Sequence, residues 1–345
     1  MNNVNVMRAA VLMGHGDLDQ LHVREGMPIP RPGRGEVLIR VGASAVNNTD
    51  INTRVGWYSQ SRSPADAGWS GNPMKFPRIQ GADCCGQITS VGSAIDPARI
   101  GERVLVRTMQ EPINVDGDLS PITLGSEIDG AFAEYLSVRG SEAFVIDSSF
   151  DDAELASFPC SYSTAEGLLQ RAQVSAERVL ITGASGGVGS AAVQLAAMRG
   201  ASVVAGTAGA HADDVKRIGA AETVDRAGDL VDQLGESSVD VVIDLVGGPH
   251  FESLLRVLRP GGRYAIAGAV AGAHVALDLR NLYLKDLTFY GCTFHRKSVF
   301  TDLVSYIEQD RIQPLVAARY NLTDIHEAQQ RFSEKDFIGK LAIVM

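Results

Sequence analysis

Cysteine and positive charge are both scarce in this sequence. The chain of 345 residues has four cysteines, which are too few and too scattered for a disulfide framework and which fit a reducing compartment. Lysine and arginine number 31 against 41 aspartate and glutamate residues, so the formal net charge is −10, and no basic run occurs. This balance argues against nucleic acid or an anionic membrane as the main partner.

Long apolar runs are absent as well. The most apolar stretch, residues 265–273, has about half the length that a membrane-spanning helix needs. The segment after Met1 lacks the basic residues and apolar run of a targeting signal. We therefore expect a cytoplasmic protein without a membrane partner. Because 45% of the residues are hydrophobic and 21% are charged, the chain is long enough and apolar enough for two folded domains.

The first 150 residues have the pattern of short β-strands. Alternating or branched segments separated by turn residues are typical of a small barrel-like domain, and they occur at residues 8–12, 36–41, 85–91, 103–107 and 131–138. Two segments without a steady period, 59–76 and 108–130, are expected to be long loops. Such loops are either functional or disordered surface insertions.

The pattern changes near Asp151. Short apolar strands alternate with helical segments, which indicates a parallel sheet covered on both faces. The predicted strands are 178–182, 201–205, 222–225, 239–244 and 262–268, and the predicted helices are 189–199 and 213–219. The tail returns to a mixed character and ends on a strand at 339–345. We therefore predict a first domain over 1–150, a second over 151–290, and a return to the first over 291–345.

The strongest chemical signal is a glycine turn between the first of these parallel strands and the helix after it. Gly186 would let the backbone approach a pyrophosphate, and Gly189 would let the helix pack tightly on the strand. Ala184 stands where the first glycine of G-x-G-x-x-G is expected. The alternative is a tight structural turn that binds nothing. The predicted phosphate-binding residues, at the start of a helix with free amides, are Ser185, Gly186, Gly187 and Val188.

The end of the second parallel strand bears on the choice of dinucleotide. An acidic residue about 20 positions after the first glycine would hold the ribose 2′-hydroxyl of NAD, but no acid occurs there before Asp213. Thr207 can donate a hydrogen bond to a 2′-phosphate, and positive charge is available from His211, Lys216 and Arg226. NADP(H) is therefore favoured over NAD(H). Ordinary solvated charge is the alternative interpretation of Lys216 and Arg226.

Several further motifs occur in a fixed order along the chain. They are residues 32–41, Asn47-Asn-Thr-Asp50, Gly81-Ala-Asp-Cys-Cys-Gly86, Gly101-Glu-Arg-Val104, the glycine turn, Leu258-Arg-Pro-Gly-Gly262 and Gly339-Lys340. In this order they resemble the medium-chain dehydrogenase/reductase superfamily over nearly the whole chain. The resemblance implies an α/β protein with a GroES-like, barrel-type catalytic domain and a Rossmann domain with a doubly wound parallel sheet. It also implies a homodimer, because the edge strand of the Rossmann sheet in this family often pairs across a two-fold axis.

Many members of this superfamily hold zinc, so each ligand position needs comparison. Where the zinc enzymes carry a Cys-His pair, this chain has Asn47-Asn48, and where they carry Gly-His-Glu it has Gly81-Ala82-Asp83. Cys160 falls at the position of a third ligand, while the segment 108–130 lacks the four cysteines of a structural zinc site. Because a catalytic zinc takes three protein ligands, we expect no zinc and no other bound metal.

The zinc-free members that the chain resembles are quinone oxidoreductases and enoyl reductases. Asn47 corresponds to their characteristic asparagine, and residues 50–58 are similar to a segment of 2-enoyl thioester reductases that ends in a catalytic tyrosine, here Tyr58. By the same resemblance, Thr164 and the pair Gly268-Ala269 lie near the nicotinamide. The chain departs from these relatives at Asn48, where they usually have proline, and in the long insert after Tyr58.

These features predict an NADPH-dependent, zinc-independent oxidoreductase that transfers hydride to a small electrophile, a quinone or an α,β-unsaturated carbonyl. Asn47 would hold the cofactor ribose or the substrate oxygen, and Tyr58 would donate a proton. The alternatives are a turn residue at Asn47, a pocket-lining aromatic at Tyr58, and a packing role for Thr164, Gly268 and Ala269. A metal-free alcohol/ketone dehydrogenase and a cofactor-binding module with little turnover are the competing functions.

Overall fold

The computed structural model describes residues 6–59, 68–70, 72–111 and 121–345. In chain order the strands are β1 Val6–Leu12, β2 Leu21–Pro28, β3 Glu36–Ala45, β4 Arg78–Ile79, β5 Cys85–Val91, β6 Arg103–Val106, β7 Met109–Gln110, β8 Ile122–Thr123, β9 Tyr135–Arg139, β10 Ala143–Val145, β11 Arg178–Thr182, β12 Ser202–Thr207, β13 Glu222–Asp225, β14 Val239–Asp244, β15 Leu258–Ile266, β16 Thr288–Gly291, β17 Val316–Asn321 and β18 Lys340–Val344. The helices are α1 Asn48–Val55, α2 Asp152–Leu155, α3 Pro159–Arg171, α4 Gly187–Met198, α5 Ala212–Arg217, α6 Leu230–Leu234, α7 Phe251–Val257, α8 Leu279–Tyr283, α9 Lys297–Glu308 and α10 Ile325–Glu334.

The described residues divide into two compact units. The first comprises residues of 1–160, 300–336 and 340–345, and the second comprises 161–299 and 337–339. Both divisions lie further along the chain than the predicted boundaries after 150 and 290. One reason is α2, which packs against β3 and β18 of the first unit and whose Asp152 forms an ion pair with Arg103 at 2.6 Å.

The first unit is built around a mainly antiparallel sheet. Its strand order is β10-β6-β5-β3-β18-β17, with β9 also paired to β3. The branched residues of β3 that predicted a strand, among them Val37, Ile39 and Val41, are buried in the core of this unit. A second sheet has the order β2-β1-β4. The strands predicted at 8–12, 36–41, 85–91 and 103–107 are confirmed, with ends that differ by up to a few residues.

Two sequence-based assignments in the first unit are wrong. The strand predicted at 131–138 begins only at Tyr135, because the preceding backbone bonds elsewhere: Ala131 and Phe132 donate to the carbonyls of Gly81 and Gln80 at 2.9 and 2.8 Å. Within the predicted loop 108–130, β7 and β8 form a short antiparallel pair. The rest of that loop, residues 112–120, and residues 60–67 and 71 of the other insert lie outside the described residues.

The second unit contains a parallel sheet of six strands over residues 161–299, all of which the structure describes. Its strand order is β13-β12-β11-β14-β15-β16. From β11 the chain adds strands toward one edge of the sheet, then returns to the centre and adds β14, β15 and β16 toward the other edge. This is the doubly wound arrangement, in which ligand sites lie at the carboxyl ends of the central strands. The central strands β11, β12 and β14 are buried on both faces, as their apolar residues predict. The sixth strand, β16, was not predicted, because its residues are largely exposed and lack an apolar pattern.

Candidate functional site

The glycine turn follows β11 at the centre of the parallel sheet. Gly183 has a φ of +61°, a left-handed conformation that favours glycine. Gly186 closes the turn by donating its N–H to the Gly183 carbonyl at 3.0 Å. A Cβ at position 189 would overlap the Gly183 carbonyl oxygen, so α4 can cross the turn this closely only with glycine. Gly189 therefore has the packing role expected from the sequence.

Ala184 occupies the first glycine position of the motif, but the residue that bends the chain is the preceding one, Gly183. The chain must bend immediately after β11 ends at Thr182, so the left-handed residue is Gly183. Ala184 is buried and donates its N–H to the Gly206 carbonyl of β12 at 3.1 Å. Gly183, which directly precedes the motif, therefore shapes the turn through its backbone conformation.

A nicotinamide dinucleotide fits the residues around this turn on two observations. Gly186 is exposed at the N-cap of α4, and the amides of Gly187 and Val188 in the first helical turn have no acceptor within the helix. These amides suit the negative charge of a pyrophosphate. In addition, the Thr207 hydroxyl at the end of β12 is buried and makes no hydrogen bond among the described residues. Ser185 holds the turn in place through its carbonyl, which accepts from Gly339 N–H at 3.0 Å.

Two of the residues predicted to face a 2′-phosphate lie together. Thr207 ends β12, and its carbonyl accepts from the N–H of Arg226, which follows β13, at 3.0 Å. Lys216 is an exposed residue in the last turn of α5, which fits the alternative of ordinary solvated charge. His211 lies beside a carboxylate, with Nδ1 3.5 Å from Asp214 Oδ2, so part of its positive charge would be offset.

An acidic residue near Thr207 was missed by the sequence analysis. Asp225 is the direct neighbour of Thr207 in the parallel register of β12 and β13. Its Oδ1 accepts from Ala227 N–H at 3.0 Å. The 20-residue spacing rule looks only along the second strand, so it does not find an acid contributed by the third.

A buried carboxylate anchors the loop after β14. Asp244 accepts hydrogen bonds from the hydroxyls of Thr182 at 2.6 Å and Tyr264 at 2.5 Å. It also accepts from the N–H groups of Val246 and Gly247 at 3.0 and 3.1 Å. Burial, followed by the nearby Asp244 charge, raises the pKa of Tyr264, so this phenol stays a donor. From the sequence Asp244 is only the end of a predicted strand, whereas in the structure its hydrogen bonds join β11, β14 and β15.

The residues predicted near the nicotinamide occupy the second unit as well. Gly268 follows β15, and a Cβ there would lie 2.5 Å from the Leu245 carbonyl oxygen, so the loop containing Ala269 passes close to the loop after β14. Thr164 lies in α3 and is half-buried. The structure therefore places Gly268 and Ala269 at the carboxyl edge of the sheet, and Thr164 in a helix, where the packing interpretation also holds.

In the first unit, strand register assembles a buried polar cluster of Asn47, Asp83 and Lys340, called the buried cluster below. The antiparallel pairs Ala45–Ala342 and Ala43–Cys85 align β18 and β5 with the end of β3. Extending these registers brings Lys340 beside Asn47 and Asp83 beside Ala45. All three residues are buried: Asn47 is 5% exposed, Asp83 0% and Lys340 2%.

Every polar atom of the Asn47 side chain has a partner. Its Nδ2 donates to Asp83 Oδ2 at 2.7 Å and to the Ala45 carbonyl at 3.1 Å, and its Oδ1 accepts from Lys340 Nζ. Lys340 Nζ also lies 3.1 Å from Asp83 Oδ2, so the two charges compensate each other. The second Asp83 oxygen accepts from Cys160 N–H at 2.7 Å.

Asp50 and Tyr58 are close to the buried cluster in sequence. Asp50 accepts from the backbone N–H of Asn47 at 2.8 Å, and burial raises the pKa of its carboxyl to about 7. Tyr58 donates to Thr49 Oγ1 at 3.0 Å, and burial raises the pKa of its phenol to about 12. Trp57, beside it, is 48% exposed. The structure thus keeps Tyr58 protonated at neutral pH and gives its hydroxyl a partner within α1.

The residues at the expected zinc-ligand positions do not fit a catalytic zinc. Asn47 and Asp83 are bound to an ammonium, and burial raises the pKa of the Cys160 thiol, which disfavours the thiolate that zinc requires. A divalent cation at about 4 Å from an ammonium would be opposed by about 8 kcal/mol at an effective dielectric constant of 20. Among the described residues no group of three His, Cys, Asp or Glu side chains could hold a metal ion.

Comparison with known proteins places this architecture in a family. Residues 33–148 match the model of the alcohol dehydrogenase GroES-like domain, and residues 187–309 match that of the zinc-binding dehydrogenases. A solved structure of a candidate alcohol dehydrogenase from Sinorhizobium meliloti 1021 is 44% identical, with a TM-score of 0.91 over 98% of this chain and 96% of that chain. The chain belongs to the medium-chain dehydrogenase/reductase superfamily. The predicted superfamily and fold class are therefore confirmed.

Superfamily relatives with assigned names differ in their reactions. Acryloyl-coenzyme A reductase of Sulfurisphaera tokodaii is 28% identical over 98% of this chain and 99% of its own length. The NADPH-dependent alkenal/one oxidoreductase of Arabidopsis thaliana chloroplasts is 29% identical over 90% of this chain and 72% of its own. A cobalt- and zinc-bound alcohol dehydrogenase of Pyrobaculum aerophilum is 30% identical with a TM-score of 0.85, over 99% of this chain and 100% of that chain. This protein is accordingly an oxidoreductase of the superfamily, for which a nicotinamide cofactor is expected.

The helices also bear on membrane association. Among the described residues, every helix is too short or too polar to span a bilayer.

Proposed function

We propose that this protein is an NADPH-dependent, zinc-independent oxidoreductase that reduces the double bond of an α,β-unsaturated carbonyl or reduces a quinone. The observation that carries the proposal is the Lys340 ammonium, which is bound to Asn47 and Asp83 where zinc-dependent relatives place ligands. The names of two relatives, an acryloyl-coenzyme A reductase and an alkenal/one oxidoreductase, support the same class of reaction.

The Lys340 ammonium, which disfavours a metal cation beside it, bears on the kind of acceptor. Reduction of a simple ketone places negative charge on an oxygen that needs a strong electrophile, whereas a conjugated acceptor spreads this charge over several atoms. Hydrogen-bond donors are then sufficient to stabilise the charge. The nicotinamide, when bound, supplies the hydride, and the protein supplies position and electrostatic field.

Tyr58 has the properties of a proton donor in such a reaction. Because burial raises its pKa to about 12, it carries its proton throughout the neutral pH range. Its hydroxyl now donates to Thr49, so a substrate oxygen would have to take the place of Thr49 Oγ1 as the acceptor. The raised pKa keeps the proton available at neutral pH but makes Tyr58 a weaker acid than a group with a pKa near 7, so its proton would go only to a strongly basic oxygen or carbon of the reduced product.

The preference for NADPH is supported by Thr207 and Arg226. The unpaired buried hydroxyl of Thr207 is available to a phosphate oxygen, and Arg226, exposed beside it, supplies the charge. Asp225 opposes this preference because its carboxylate lies in the same register, but one of its oxygens is already engaged by Ala227. The proposal is therefore NADPH first, with NADH as a weaker reductant.

The test follows oxidation of NADPH and NADH with an enone, a quinone and a simple ketone, before and after dialysis against a strong chelator. We expect oxidation of NADPH with the enone or the quinone, unchanged by the chelator. Two relatives at 27% identity are named NAD-dependent alcohol dehydrogenases. Turnover of the ketone with NADH, or loss of activity on chelation, would therefore favour a metal-dependent or alcohol-oxidising function and overturn the proposal.

A further inference from the structure

Lys340 supports a second inference, separate from its use above as the cation at the expected zinc position. Lys340 begins β18, 293 positions after Asn47, and only the β3–β18 register brings the two together. Its ammonium is enclosed with Asp83 in the interior of the first unit, where an unpaired charge would be very unfavourable. Lysine side chains usually lie at the surface in contact with water, so a buried lysine at this position indicates a specific role.

The ammonium determines which way the Asn47 amide faces. The oxygen and nitrogen of an asparagine amide are nearly equivalent in shape, so their orientation is set by their partners. With Lys340 on one side and Asp83 on the other, the oxygen must face the cation and the NH₂ group must face the carboxylate. Both N–H groups of Nδ2 are then used, one on Asp83 and one on the Ala45 carbonyl.

One hydrogen-bonding position is left on this side chain. An amide oxygen accepts two hydrogen bonds, and Lys340 takes one of them. The remaining lone pair can accept from a hydroxyl but cannot donate to a carbonyl oxygen. Of the two roles that the sequence left open for Asn47, binding a ribose hydroxyl is therefore compatible with this geometry, and donating to a substrate carbonyl is not.

We propose that Lys340 is a positioning residue, a built-in cation that holds the Asn47 amide oxygen as an acceptor for a ligand hydroxyl. The hydroxyl belongs either to the cofactor ribose or to the hydroquinone that forms when a quinone is reduced. The proposal rests on the proposed function in that it assumes a nicotinamide nucleotide or this hydroquinone as the ligand.

The experiment measures the Kd of NADPH by fluorescence titration for Lys340→Met, Lys340→Arg and Asn47→Ala. We expect Lys340→Met and Asn47→Ala each to weaken binding by about tenfold, the value of one hydrogen bond. The double variant Lys340→Met with Asn47→Ala should bind NADPH no more weakly than either single variant, because both substitutions remove the same contact. Lys340→Arg, which keeps a cationic donor, should recover most of the affinity.

A matched control is Lys335→Met. Lys335 also contacts an asparagine of this segment, with its Nζ 3.4 Å from Asn48 Oδ1, but it lies outside the buried cluster. This variant should bind NADPH within twofold of the wild type. Because Lys340→Met leaves Asp83 unpaired and is at risk of misfolding, Lys340→Met with Asp83→Asn removes both charges together and keeps an acceptor for Asn47 Nδ2.

The outcomes separate the two hydroxyl sources and the two proposals. A weaker Kd for NADPH with an unchanged KM for the electrophile assigns the hydroxyl to the ribose. An unchanged Kd, with weaker product inhibition by the hydroquinone, assigns the hydroxyl to the product. Additive losses of NADPH affinity in the double variant of Lys340 and Asn47, or equal losses in Lys340→Met and Lys335→Met, would overturn the positioning role. A wild-type protein that binds neither nucleotide would instead refute the proposed function.

Discussion

Burial sets the protonation state of two side chains close to Asn47. The Asp50 carboxyl is almost inaccessible, and burial raises its pKa to about 7, although the N–H of Asn47 and the charge of Lys340 act in the opposite direction. The Tyr58 phenol is shifted upward for the same reason. At the residue scale, therefore, the chemistry of this segment depends on the surroundings of each group more than on its type.

The first prediction concerns the pH dependence of stability. Because the Asp50 pKa is higher in the folded chain than its ordinary value of 3.8, the folded state holds this proton more tightly. Its contribution to stability is complete below about pH 4 and is lost as the pH rises through about 7. Asp50→Asn should remove this loss, at about 1.4 kcal/mol for each unit of pKa shift.

Urea denaturation of both proteins at pH 5 and pH 8 measures the effect. The free energy of unfolding should fall from pH 5 to pH 8 by a smaller amount in Asp50→Asn than in the wild type. An equal fall in the free energy of unfolding in the two proteins would mean that Asp50 ionises normally.

The second prediction concerns Tyr58. Tyr58→Phe removes the proton donor, and we expect turnover of an enone to fall by about 10²-fold or more, in the range of general acid catalysis. Quinone reduction should change less, because a quinone delocalises the charge without a dedicated acid. Trp57→Phe, at the exposed neighbouring position, is the control. Equal activity of Tyr58→Phe on both acceptors would remove the acid role and leave a pocket-lining aromatic.

The third prediction concerns Arg226. Arg226→Ala removes an exposed charge beside Thr207, so the KM for NADPH should rise by about tenfold, while the KM for NADH stays within twofold. Steady-state kinetics with both nucleotides measures the difference. Lys216→Ala, which changes a charge on the exposed face of α5, serves as the comparison. A parallel rise for both nucleotides would show that Arg226 does not recognise the 2′-phosphate.

At the scale of elements, the turn between β11 and α4 separates two uses of glycine. Position 189 has no space for a side chain, because a Cβ would overlap the Gly183 carbonyl. At position 186 the φ of −70° is accessible to any residue, and a Cβ would make an ordinary 3.4 Å contact. Gly189 is thus required by the fold, whereas Gly186 is required only if a ligand approaches the backbone.

This difference gives the fourth prediction. Gly189→Ala should lower the free energy of unfolding by about 1–3 kcal/mol, as overpacking does. Gly186→Ala should leave the thermal midpoint nearly unchanged and weaken NADPH binding by about tenfold or more, because the methyl group faces the pyrophosphate. Thermal denaturation and nucleotide titration of both variants provide the data. Unaltered NADPH affinity in Gly186→Ala would contradict phosphate binding at this turn.

The elements that the sequence predicted share a local cause. Strands such as β11 and β14 have nearly continuous apolar residues, and their predicted bounds agree with the structure. Where tertiary contacts override the local pattern, the prediction is wrong, as for Ala131 and Phe132, whose N–H groups bond to the segment around Gly81. The exposed edge strand β16 has no apolar pattern of its own and was missed for that reason.

At the scale of the whole molecule, we propose a homodimer formed through the edge of the parallel sheet. β16 is the last strand of the order, so one of its edges has no partner among the described strands. Near it in sequence, Leu279, Tyr283 and Leu284 are 63%, 62% and 68% exposed. An open strand edge and exposed apolar side chains are each typical of an association surface.

The fifth prediction follows from this surface. The wild type should elute as a dimer at micromolar concentration in size-exclusion chromatography with light scattering. Leu279→Ser combined with Leu284→Ser should shift it toward the monomer. Ile100→Ser, at a 51% exposed position in the first unit, should leave the oligomeric state unchanged. A monomeric wild type would contradict the proposal.

The sequence by itself determined the two kinds of sheet, the glycine turn and the missing zinc ligands at Asn47 and Ala82, because each depends on residues within one short segment. Only the tertiary structure decided that Lys340 meets Asn47, that Asp225 stands beside Thr207, and that Asp244 joins Thr182 to Tyr264. These contacts join residues far apart in the chain, and they depend on strand register and order, which local periodicity does not specify.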